Sequence, residues 1–234
     1  MTRLCAVVAV LACAACAPSI NPQMKSATDE LIASLKGVHD EPAPASWEPM
    51  PWEVGQWMAM KATSKDGPSV SKVSIVGREG DGWWVETESW TYYHHNVSKV
   101  LYDRRPVTAQ EAVDFMVKVV ARTDDKAPET FDFGPSNPAA GMIKSMMKHY
   151  AAGITGPTSA EGLPRQDVTV AAGSFKGCAK ATTSIAIGPL RKEMASLSHP
   201  AVPINMAVSG TSTDGEWVVE TLDYGTTGAK SALP

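Results

Sequence analysis

The sequence predicts an α+β fold, a largely antiparallel sheet with two or three helices packed on one face. Three observations lead there. Strand-like segments cluster in two blocks, about 54–102 and 165–224, each broken by Gly, Pro and Asp-Gly turns. The intervening stretch, about 108–152, carries helix starts and apolar spacing of helical period. The order sheet, helix, helix, sheet lets both strand sets join in one domain covered by the helices.

The first block divides at its turns. Gln56–Ser64 and Val70–Arg78 flank Lys65-Asp66-Gly67-Pro68, and Glu79-Gly80-Asp81-Gly82 leads into Trp83–Trp90. Asp-Gly between alternating runs is a strong hairpin signal. Tyr92–Tyr102 reads as a fourth strand. In the middle block Thr108 and Glu111 fit a capping box. Ala112, Phe115, Met116, Val119 and Val120 then form a helical stripe. Thr123–Ser136 reads as a loop, and Asn137-Pro138 as the cap and first turn of a second helix running to about Ala152. The second block offers strands at Arg165–Ala171, Ser174–Ile187, Lys192–Ser198, Val202–Ser209 and Glu216–Tyr224.

Composition limits the function classes. The chain has 234 residues, 44% of them hydrophobic, with 7 Trp, enough for one β-rich core. A net charge of −4 argues against nucleic acid as a partner, since no basic excess is present to release phosphate counterions. Beyond residue 16 no apolar run approaches the ~18 residues that cross a bilayer.

The N-terminus has the form of an export signal: Met1-Thr2-Arg3, then apolar Leu4–Ala12, then Cys13-Ala14-Ala15-Cys16. Small residues before a Cys at the end of a short apolar stretch resemble the lipobox of bacterial envelope lipoproteins. The resemblance implies cleavage before the Cys and acylation of its thiol and new N-terminus, with anchoring in a membrane. Cys16, after Ala14-Ala15, is the favoured lipidation site and Cys13 the alternative. Ala17-Pro18 carries no Asp, which by the family's sorting rule favours the outer membrane, facing the periplasm; the alternatives are the inner membrane and the cell surface. The organisation expected is a signal over 1–15, a lipid-anchored tether with one short helix over 16–50, and one domain over 51–234. With Cys5 and Cys13 removed, Cys178 has no intrachain partner; it reads as a buried apolar side chain sooner than as a nucleophile.

Val168-Thr-Val-Ala-Ala-Gly-Ser-Phe175, a lone Cys178, His199-Pro200-Ala201-Val202-Pro203 and Glu220-Thr-Leu-Asp-Tyr-Gly225 resemble a pattern of envelope lipoproteins. That pattern is similar to the second half of the lipoprotein-carrier superfold shared by LolA and LolB. The resemblance implies a strongly curved sheet, an incomplete barrel of about eleven strands with helices over its mouth, and an apolar cavity between them. Met142, Ile143, Met146, Met147 and Tyr150, on the second helix, are then the candidate ligand-binding side chains, because Met suits adaptable apolar sites. Lys144 and Lys148 flank them.

Other constellations are weaker. His94 and His95 are adjacent on a strand and point to opposite faces, so with Glu86 and Glu88 they lack the spacing of a metal signature. Ser174 and His199 sit in strand and corner sequence and not at a nucleophile elbow. No phosphate loop or dinucleotide fingerprint occurs. No catalytic site, metal or cofactor is expected. The reading is a non-enzymatic lipoprotein that binds a lipid or another lipoprotein's acyl chain; the alternative is a filled-core interaction protein that binds an envelope partner.

Overall fold

A computed structural model describes residues 19–134, 137, 140–141, 144, 154–157, 159–187 and 190–234, with backbone alone over 183–187 and 190–192. Among the described residues the chain is mostly β, with 47% strand against 12% helix. Helix α1 (Pro22–Ser34) and strand β1 (His39–Glu41) come first. Strands β2 (Trp57–Ser64), β3 (Gly67–Glu79), β4 (Gly82–Trp90) and β5 (His95–Tyr102) follow as a meander. After the one-and-a-half-turn helix α2 (Ala109–Asp114) come β6 (Met116–Thr123) and β7 (Glu129–Asp132). The chain ends with β8 (Arg165–Val170), β9 (Gly173–Ile187), β10 (Leu190–Ser198), β11 (Ala207–Ser212) and β12 (Val218–Gly225).

The twelve strands of the described residues form one sheet, in the order β1-β9-β10-β11-β12-β2-β3-β4-β5-β6-β7, with β8 on β9. Every pairing is antiparallel except that of β1 with β9. The two strand blocks do join, through β12 against β2, where Val218 pairs with Thr63 and Gly225 with Trp57.

The α+β class and the incomplete barrel roofed by helices are therefore corrected to a mostly β, open sheet. The physical reason lies in residues 108–132. Thr108 caps α2 as expected, its hydroxyl accepting from the Glu111 amide at 3.1 Å. The helix ends at Asp114, and Met116-Val-Lys-Val-Val-Ala-Arg-Thr123 becomes β6 on β5. Spacing at i, i+3 and i+4 marked this stretch as helical. Three valines, whose branched side chains suit a pleated surface, and an available edge on β5 decide for strand. Glu129–Asp132, read as loop, then adds β7. The second predicted helix lies almost wholly outside the described residues.

Alternation along the strands sorts the side chains. Met58, Val73, Ile75, Val85, Val100 and Val119 pack on one face with Ala112 and Val113 of α2. Phe175, Cys178, Leu197, Val208 and Tyr224 extend the same cluster across the other half, closed by Val202 and Ile204 of the 199–206 loop.

Residues 21–47, within the stretch read as a tether, lie against this sheet. Asn21 caps α1 through its side chain, and its own amide donates to the Tyr92 carbonyl. Thr28, fully buried, donates to the Thr91 carbonyl, and the Tyr92 hydroxyl donates to Asp29.

Candidate functional site

The residues named from sequence fall in different places. Cys13, Cys16, Met142, Ile143, Met146, Met147 and Tyr150 lie outside the described residues. Lys144, which flanks the predicted apolar stripe, donates to the Asp114 carbonyl at the end of α2 and stands over the Phe133 ring. His94 meets Asp124 at 3.1 Å, while His95 stacks on Trp90 with its Nε2 3.6 Å from Glu88. Among the described residues no three His, Cys, Asp or Glu side chains converge as a metal set. Cys178 is wholly buried, and burial pushes its thiol up to about 11. Ser174 touches Thr169, not a base. His199 is 2% exposed; its Nε2 donates to the Pro42 carbonyl and its Nδ1 accepts from the Ala201 amide.

Two terminal segments occupy what would otherwise be open surface. The N-terminal one, residues 36–47, runs beside β9 and β12. The Gly37 amide donates to the Leu222 carbonyl and the His39 amide to the Ala172 carbonyl. His39 meets Asp223 at 2.9 Å and stacks on Tyr224 at 3.9 Å between centroids, and the Tyr224 hydroxyl donates to Glu41 at 2.6 Å. Further on, Trp47 packs against His199 and Arg165. Gly173 makes this close passage feasible: a Cβ there would fall on the His39 backbone.

The C-terminal segment crosses the face opposite the core. The Trp57 indole donates to Thr227, and the Ala229 amide to Gly55. Glu86, 1% exposed, accepts from the Ala232 and Leu233 amides at 2.8 and 3.3 Å and lies 2.6 Å from the Ser231 hydroxyl. Lys99 donates to the Leu233 and Pro234 carbonyls and stands over Trp84. No motif announced this arrangement. Its only sequence signal was a charged residue in the middle of each of two strands, Glu86 and Lys99.

What stays open is the edge at β8. Among the described residues β8 pairs only with β9, so its outer edge is unoccupied by any strand, whereas the opposite edge, β7, is four residues long. The bend at Gln166–Val168 breaks the β8 ladder, and the Asp167 carboxylate turns back to accept the Gly177 amide at 2.8 Å. Beside this edge lies an open cavity of about 290 Å³, lined by Asp167, Val168, Thr169, Ser174, Phe175 and Lys176. Its lining is a mix of one acid, one base, hydroxyls and two apolar side chains. An edge of unpaired backbone donors and acceptors next to a side-chain pocket is the chemistry of strand addition: backbone bonds give affinity and the pocket selects a side chain. Compared with models of known families and with curated proteins, the chain matches none.

Proposed function

We propose that this chain is a lipid-anchored cell-envelope protein that acts by binding a protein partner, with an extended segment of that partner pairing along the outer edge of β8. The observation that carries this reading is the β8 edge, which no strand of the described residues occupies, with its adjoining cavity. The anchor rests on the N-terminal signal and Cys16. Its expected site is the outer membrane, facing the periplasm. A non-enzymatic role is part of this reading.

The carrier alternative has less behind it. The side chains that would line an apolar chamber, Met58, Ile75, Val85 and Phe175, are packed at 2% exposure or below. The cavity at β8 is part polar, and at about 290 Å³ it falls just below the ~300–1,000 Å³ usual for ligand sites.

The test is site-specific photo-cross-linking in the envelope from Gln166, on the exposed edge, compared with Glu129 on β7. Proline is then placed at Val168 and, separately, at Thr169. Neighbouring amides on a strand point to opposite sides, so one variant disrupts β9 pairing and the other only blocks the outer edge. The expected result is a partner captured from Gln166 and lost in the proline variant that keeps the native melting temperature. Equal capture from Glu129, or a stoichiometric lipid in the native mass spectrum with no capture from Gln166, overturns the reading.

A further inference from the structure

The first three residues of β9 have a strand on each side. Val170, Thr169 and Val168 of β8 pair with Gly173, Ser174 and Phe175. His39, Asp40 and Glu41 of β1 pair with the same three residues from the other side. β10 gives no support at this level, because it pairs with β9 only from Ala179 onward. Without β1, the part of β8 and β9 that carries the cavity would be a two-stranded hairpin. Its ties to the rest of the sheet would be buried Phe175 and the bond from the Ala172 amide to the Thr221 carbonyl. A hairpin of two strands is marginally stable in water, and a third strand makes it hold.

The N-terminal segment also backs the cavity. Phe175, in its lining, meets the rings of Tyr224 and His199 at 6.1 and 5.6 Å between centroids. The segment holds both rings. Tyr224 stacks on His39 and donates to Glu41, while His199 bonds to the Pro42 carbonyl and packs against Trp47.

Yet the segment is lightly held. β1 is three residues long, and its ladder on β9 is the parallel one, the weaker kind per residue. Val38 is 98% exposed, and Asp40 faces water. A short element with few buried contacts opens at a lower free energy than the sheet beneath it.

We infer that residues 36–47 form a strap that controls the β8 site: docked, it braces the edge for strand addition, and released, it leaves a two-stranded flap that pairs weakly. The inference rests on the strand-addition reading of β8 proposed above. His39, Asp40 and Glu41 lie on the far side of β9 from that edge, so they act on it through β9 and through the rings behind Phe175. Such coupling is reciprocal: a partner strand on β8 holds the strap down by the same factor.

The experiment uses the full chain in cells, with the photo-cross-linker at Gln166, in the native protein and in His39→Ala, Glu41→Ala and the double variant. None of these changes a residue that lines the cavity. Hydrogen exchange on the purified proteins measures strap docking at the amides of residues 37 and 39, which bond to Leu222 and Ala172. Protection of the β3–β4 ladder shows that the sheet is intact; where the double variant loses it, the single variants supply the comparison. Capture from Gln166 is expected to fall in step with strap protection, roughly fivefold or more in the double variant. Full capture from a variant whose strap amides exchange fast overturns the inference alone. Strap amides that keep native protection in the double variant overturn it too, since a strap held without these contacts does not switch on them. A native chain from which Gln166 captures no partner overturns the strand-addition reading, and this inference with it.

Discussion

Glu86 and Lys99 are direct cross-strand partners on β4 and β5, yet both direct their polar groups at the last four residues of the chain. A buried carboxylate is tolerated only when its lone pairs are filled, and here the donors come from Ser231, Ala232 and Leu233. The C-terminal segment is thereby part of the fold.

Glu86→Ala should therefore cost far more than a surface charge. It removes the Ala232 amide's acceptor and one of the two acceptors of the buried Leu233 amide, and a buried group left unsatisfied costs ~1–3 kcal/mol. Leu233, 4% exposed, is the one large apolar anchor of the segment, and Leu233→Ala should cost about 2–5 kcal/mol. Urea unfolding gives both values. Hydrogen exchange at Ala232 and Leu233 checks the mechanism: their amides should lose protection in Glu86→Ala well before β4 does.

The β-meander was readable because each of its turns carries a local signal. Asp66-Gly67 and Gly80-Asp81-Gly82 place the breaks between β2, β3 and β4 within three residues of where they fall. Residues 116–123 were misread because helix and strand periods overlap over so short a run, and only the tertiary edge of β5 decides between them. The 199–206 loop, expected to be strand from Val202, is another such case. Ile204 and Met206 there adopt positive φ of 70° and 58°, which bulky side chains rarely do and local sequence does not show. The β8 edge site was invisible for a different reason. Being an edge is a property of sheet order, set by pairings between residues far apart in sequence.

Gly173→Ala should detach the N-terminal segment. Its φ of 129° disfavours any Cβ, and the added atom would meet the His39 carbonyl. The expected loss exceeds ~1 kcal/mol. Amide exchange should speed up at Gly37 and His39 while the β3–β4 ladder keeps its protection. Uniform loss of protection across the sheet would refute this local account.

Cys178 should be silent toward thiol reagents in the native state. Its side chain has no exposure and its thiol is raised to about 11, so little thiolate exists near neutral pH. Reaction with a chromogenic disulfide at pH 8 should be negligible without denaturant and complete in guanidinium. Fast native labelling at this residue would contradict the burial on which the C-terminal half of the core is built.

His199 sets the acid side of the stability profile. Desolvation between Phe175, Trp47 and the backbone lowers its pKa from the usual 6.5, against opposing bonds to Pro42 and the Lys176 backbone and the field of Glu41. The neutral ring is the folded form. As pH falls through 6.5 the unfolded chain takes up a proton that the folded chain refuses, so νU exceeds νN and stability rises with pH over this window. The chain should lose stability as pH falls below 6.5, first at the 36–47 segment that His199 holds through Pro42. His199→Gln should lower stability at pH 7.5, where the imidazole bonds are intact, and flatten the profile below pH 6.5. Melting temperatures of both proteins from pH 5 to 8 test this: parallel curves would show that another group governs the acid limb.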